Sequence, residues 1–119
     1  MIKPKRIAFD KRLIPAAIFD REKRPHVERS NFGITRTWVS CDGQYQVVCR
    51  QLLLGTPDCH YPPRWHAEER WHRSPEAAIW CRIPGTPWGG FRTAKRAFAA
   101  VAHAVKNKTM KKQEEQEVA

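Results

Sequence analysis

Gly33-Ile34-Thr35-Arg36-Thr37-Trp38-Val39, then Cys41-Asp42-Gly43, then Tyr45-Gln46-Val47-Val48-Cys49: the reading of this stretch decides the fold. β-Branched and aromatic residues fill both runs, and such side chains suit a pleated, half-buried surface. Between the runs, Asp42-Gly43 supplies the positive φ angles that a tight hairpin turn requires. The stretch therefore reads as a β-hairpin. A period of two along its second strand puts Tyr45, Val47, Cys49 and Leu53 on one face and Gln44, Gln46 and Arg50 on the other. The first set faces a core, and the second is free to read a ligand.

An isolated hairpin is marginal in water, so its apolar face needs a cover. The C-terminal part of the chain provides one. Thr93 can cap a helix in which Ala94, Ala97, Phe98, Val101, Ala102 and Val105 form one continuous apolar stripe, with Lys95, Arg96 and Lys106 off it. The expected class is α+β, a small antiparallel sheet built on the hairpin and packed against a C-terminal amphipathic helix. With 119 residues there is room for one such core. Residues 31–107 are expected to hold it, with 1–30 a basic N-terminal arm and 108–119 a charged, frayed tail of little apolar content.

Outward from the hairpin the pattern loosens. In residues 1–30, isolated apolar residues alternate with charge and with Pro4, Pro15 and Pro25, and at most a helical turn fits between Ala16 and Arg24. Residues 55–63 are dense in turn formers. They are followed by a local repeat, Arg64-Trp65-His66 and Arg70-Trp71-His72. Ser74-Pro75-Glu76 reads as a helix start, Ser as cap and Pro at the first helical position, predicting a short helix through Trp80. Pro84-Gly85-Thr86-Pro87 then breaks the chain.

Charge narrows the classes of partner. Twenty-two Lys and Arg stand against 12 Asp and Glu, for a net +10. Residues 1–30 carry +5, residues 31–90 only +1, and residues 91–112 hold seven basic residues and no acid. Two basic flanks around a balanced centre point to a polyanion, and nucleic acid is favoured over a solvated surface. Asp10, Lys11 and Arg12 interrupt the N-terminal apolar run, so a secretory signal is not expected, nor does any apolar stretch approach the roughly 18 residues of a membrane span. The cytoplasm is the expected compartment. There Cys41, Cys49, Cys59 and Cys81 are expected to stay reduced and mainly structural.

Three constellations could carry chemistry. Arg64, Arg70 and Arg73 interleave with tryptophans, offering phosphate contacts beside flat aromatic surfaces. Arg36, Gln44, Gln46 and Arg50 have the side chains that pair with base edges, and a two-stranded ribbon fits the DNA major groove. Lys95 and Arg96 add phosphate contacts from the helix. As a third group, Cys59, His60, His66, His72 and Cys81 collect zinc-type donors, but without the paired C-x-x-C or H-x-x-x-H spacing of known fingers, so no metal is assigned. No cofactor or small-molecule ligand is indicated. Nor does a phosphate loop or nucleophile motif point to an enzyme, and Glu68-Glu69 with His66 and His72 is the sole acid and base cluster.

Gly33-Ile34-Thr35-Arg36, Asp42-Gly43-Gln44-Tyr45-Gln46-Val47 and Gly89-Gly90-Phe91 before an Ala-rich helix resemble bacterial and phage forms of the ethylene-response-factor type DNA-binding domain. The resemblance covers roughly residues 33–106. It implies a three-stranded sheet laid in the major groove, a helix packed behind it, and Arg36, Gln46 and Arg50 facing DNA. The long segment between the second strand and Gly89-Gly90, with its Arg-Trp-His repeat, has no counterpart there. The expected function is a DNA-binding transcription regulator, a phage or mobile-element activator that acts on double-stranded DNA with host RNA polymerase. Two alternatives stand beside it: a phage or plasmid inhibitor of a host nucleic-acid enzyme, and an RNA-binding protein that stacks bases on its tryptophans.

Overall fold

In the computed structural model of the chain the described residues are 10–52, 63–74 and 77–117, the side chains of 72–74, 77, 78 and 110–117 excepted. They form one antiparallel sheet of five strands in chain order, β1 (His26–Arg29), β2 (Gly33–Val39), β3 (Tyr45–Leu52), β4 (Arg64–Ser74) and β5 (Ala77–Arg82), followed by one helix, α1 (Ala94–Glu117). The class is α+β, an antiparallel sheet packed against a C-terminal helix.

The central hairpin is β2 and β3, with Val39 opposite Gln46 and Gly33 opposite Leu52. Its turn differs in detail from the expected one. Gly43 alone takes a positive φ, +74°, after a turn closed by the Gly43 amide donating to the Ser40 carbonyl. Asp42 keeps an ordinary φ and works through its side chain, accepting from the Ser40 hydroxyl at 2.6 Å and the Gln44 amide at 3.0 Å. These bonds, the hydroxyl's first, hold its carboxyl below the usual carboxylate range.

The segment carrying the Arg-Trp-His repeat is β4, and the helix expected after Ser74-Pro75-Glu76 is replaced by β5. Ala77-Ala78 favours a helix locally, but β5 pairs along β4 from Ser74 opposite Ala77 to Glu68 opposite Arg82. Tertiary pairing overrides a weak local preference, and Ile79 and Trp80 are themselves strand formers.

Two expected boundaries move. From Asp10 onward the supposed arm belongs to the fold. Asp10 caps a 3-10 turn at Lys11–Leu13, Ile14 and Phe19 are buried in the core, and β1 pairs with β2. Arg21 donates to the Ile14 and Arg12 carbonyls, and the Cys41 amide donates to the Ile18 carbonyl, which fastens the segment to the hairpin turn. At the other end α1 continues to Glu117 instead of fraying at 108. Lys, Gln and Glu are good helix formers even where no apolar stripe continues. Lys3, Lys5 and Arg6 lie outside the described residues.

The core lies between the sheet and α1. Phe98, Ala97 and Val101 are fully buried against Val47, Cys49, Trp65 and Ala67. Trp38 and Trp65 stack at 5.3 Å, Phe98 meets Trp38 edge-on at 6.0 Å, and Phe19 meets Phe98 edge-on at 5.3 Å. Thr93 accepts from the Arg96 amide at 3.4 Å, the expected cap. No helix among the described residues is long and apolar enough to cross a membrane.

Candidate nucleic-acid interface

Antiparallel register decides which side chains share a face, because residues directly opposite one another point to the same side. Cys49 stands opposite Arg36 on β2 and Trp65 on β4, and Val47 opposite Trp38 and Ala67. This is the inner face, under α1. Gln46, Val48 and Arg50 of β3 point the other way, with Glu68, His66 and Arg64 of β4 beside them, then Arg70, Trp80 and Arg82 toward β5. Among the described residues no helix packs on this outer face, since α1 meets β3, β4 and the 3-10 turn.

The structure therefore divides the residues that the sequence pointed to. Gln46, Arg50, Arg64 and Arg70 come together on the outer face. Arg36 does not join them: it lies on the inner face at its edge, half-buried, with its guanidinium 3.4 Å from the Gln51 amide oxygen. The signal was present in β2, where Ile34, Arg36 and Trp38 alternate, so Arg36 must share the side of two buried apolar residues. Gln44 sits in the turn, its amide bound to Asp42 and its carbonyl accepting from the Arg70 amide at 2.8 Å. Lys95 and Arg96 are exposed on the first turn of α1, in the opposite layer. Arg73 is in β4 near the irregularity between His72 and Ser74, among the side chains not described.

Alternation also splits two of the clusters between the faces. Glu68 faces outward and accepts from the Gln46 side-chain amide at 2.6 Å. Glu69 faces inward, buried, accepting from the Trp71 indole at 2.9 Å and 3.7 Å from the Lys108 ammonium. His66 is on the outer face and Cys81, opposite Glu69, on the inner, so they cannot share an ion. Cys59 and His60 lie outside the described residues. Burial pushes the Cys49 thiol up to about 12, which makes it unreactive packing.

Two outer-face residues escaped the sequence reading, Arg82 and Trp88, and a third, His66, was read there only as a metal-type donor or an acid and base partner. Burial, then the Arg50 charge, holds the His66 imidazole below the ordinary histidine range, Glu68 opposing and Arg64 assisting. The shift favours the neutral imidazole, a bonding group without charge. Arg82 stands across from Glu68, but its guanidinium lies 4.1 Å over the Trp88 ring. Period-two alternation through Arg64, His66, Glu68 and Arg70 was the available signal for His66. The Trp88 placement depends on a loop that no periodicity describes.

Chemically the outer face offers guanidinium donors, a neutral imidazole and exposed aromatic surface. Arg50 and Arg64 are directly opposite each other, and neither has an ion pair among the described residues. Compared with protein family models, with curated proteins and with solved structures, the chain matches none.

Proposed function

We propose that the chain binds duplex DNA through the outer face of its sheet and regulates transcription from there, in the cytoplasm. The observation that carries this reading is the Arg50–Arg64 pair. Like charges directly opposite on neighbouring strands destabilise a sheet, their Cβ atoms only about 5 Å apart. A polyanion laid on this face turns that repulsion into attraction. Thr35, Arg50 and Arg64 form one row across three strands, which Glu28 of β1 extends on the far side from Arg64. At roughly 4.8 Å between strands the row spans about 10 Å, which suits a major groove about 12 Å wide.

The layer order supports the same reading, since a sheet that enters a groove needs its helix behind it. The basic flanks then supply phosphate contacts that hold without specifying. A protein partner, host RNA polymerase in an activator of phage or mobile-element origin, gives a role to Trp71 and Ile79. These two lie opposite each other on the inner face of β4 and β5 and are 54% and 43% exposed.

Selection of bound sequences from random duplex DNA, followed by titration of variants at several salt concentrations, tests the proposal. Arg50→Ala and Arg64→Ala are each expected to cost about 1 to 3 kcal/mol on the preferred site. Lys95→Ala with Arg96→Ala should weaken all sequences alike and flatten the salt dependence. No binding to any duplex at low salt would end the reading.

A further inference from the structure

The loop between β5 and α1 presents an exposed tryptophan from a firmly held backbone. Thr86 is buried, its hydroxyl donating to the Ile83 carbonyl at 2.7 Å, and the Gly90 amide donates to the Pro87 carbonyl at 3.1 Å. Phe91 then pairs with Trp65 through two backbone bonds of 2.6 and 2.8 Å. Gly90 has φ +82°, and a Cβ there would lie 2.8 Å from the His66 ring, so the backbone presses against the outer face. At the apex Trp88 is 85% exposed. An indole already held in place loses little freedom on binding.

Arg82 sits on that indole rather than on a carboxylate. Its cross-strand neighbour Glu68 is engaged by Gln46, and the Arg82 Nε is buried with no hydrogen-bond partner among the described residues. A buried donor of that kind calls for an explanation. The surroundings are cationic: Arg92 is exposed just beyond the loop, and no acidic residue occurs between Glu76 and Glu114. A stacking surface in a positive field selects an aromatic ligand that carries negative charge.

We propose that Trp88 and Arg82 form a site for one unstacked nucleobase with its phosphate, the base on the open face of the indole and the phosphate on the guanidinium. In an intact duplex the faces of internal bases are covered by their neighbours, so the site takes a base from a single-stranded segment beside the duplex held by Arg50 and Arg64. The inference rests on the duplex reading for its placement, not for its chemistry.

The test compares the full chain on a blunt duplex, the same duplex with a thymidine overhang, and one whose overhang is abasic, with DNA and RNA overhangs in parallel. The base-bearing overhang is expected to bind about 5- to 100-fold tighter than the blunt end. The abasic overhang should lose this gain. Trp88→Ala should abolish the ratio of overhung to blunt affinity while leaving thermal stability unchanged, and Trp88→Phe should restore part of that ratio. Gain with either sugar carries the proposal, and the larger gain names the strand. Equal affinity for blunt and overhung duplexes, a gain that the abasic strand keeps, or a gain that survives in Trp88→Ala would each overturn it. Binding of the overhang without binding of the blunt duplex would remove the duplex reading and leave this site standing.

Discussion

Val47 and Gln46 are neighbours in the chain and belong to different molecules in a chemical sense. Val47 lies on the inner face, in an apolar, buried layer closed by Phe98, Trp38 and Trp65, with Arg36 only at its edge. Gln46 lies on the outer face, itself buried beside Val48, where Arg50, Arg64, Arg70 and Arg82 stand with two described carboxylates, Glu68 on β4 and Glu28 on β1. The inner face maximises stability. The outer face gives some of it up, because Arg50 and Arg64 repel. A sheet that served only as scaffold would gain by placing opposite charges there, so the difference between faces separates what folds the chain from what the chain meets.

The sharpest way to test that division is to damage one face and read both properties. Phe98 is fully buried and touches both stacked tryptophans and Phe19. Phe98→Ala should cost about 3 to 5 kcal/mol, a large share of the roughly 5 to 15 kcal/mol that holds a domain. Urea unfolding reads the loss. An unchanged midpoint would mean that the inner face is not the core. Conversely, Arg50→Ala should leave stability level or raise it slightly while it lowers DNA affinity.

How much of this division was legible before the structure depends on the periodicity of each segment. The 33–49 hairpin and the stripe from Ala94 to Val105 were readable because each repeats a pattern matched to its element, two for the strand and three or four for the helix. Arg36 was misplaced because a charged residue between Ile34 and Trp38 was read by its chemistry instead of its parity. β5 was missed because Ser74-Pro75-Glu76 reads as a helix start, and that reading outweighed the strand formers Ile79 and Trp80, which pair with the adjacent β4. The N-terminal segment contributes Ile14 and Phe19 to the core from irregular backbone, where burial leaves no period. Trp88 stands out in composition, but its exposure and its contact with Arg82 depend on a loop geometry that the residues Pro84 to Gly90 do not spell out.

A smaller perturbation probes the seam where loop and outer face meet. Gly90→Ala places a Cβ 2.8 Å from the His66 ring and 3.0 Å from the Trp65 carbonyl, at φ +82°. The left-handed conformation and the contact together should cost about 1 to 3 kcal/mol. The imidazole can move and the carbonyl, in β4, cannot. A stability loss accompanied by weakened overhang binding, with blunt-duplex affinity retained, would place the effect in the loop. Gly90→Ala with wild-type stability would show that the seam is loose.

The smallest effect has the most informative sign. His66 is held below the ordinary histidine range by burial first, then by Arg50 and Arg64 against Glu68. The unfolded chain, with an ordinary histidine pKa of about 6.5, therefore binds more protons than the folded one just below that pH. This contribution to stability is present above about pH 6.5 and is lost as the pH falls through the lower folded value. A polyanion on the outer face reverses the balance, because phosphate beside His66 favours the imidazolium and raises its pKa. Proton uptake then accompanies binding, so DNA affinity should rise over the same pH range in which the free protein loses stability. Urea midpoints and duplex titrations between about pH 5.5 and 7.5 read the two slopes, and His66→Gln should flatten both. If stability falls with acid while affinity stays level, the imidazole is not beside the ligand, and the duplex lies elsewhere on the molecule.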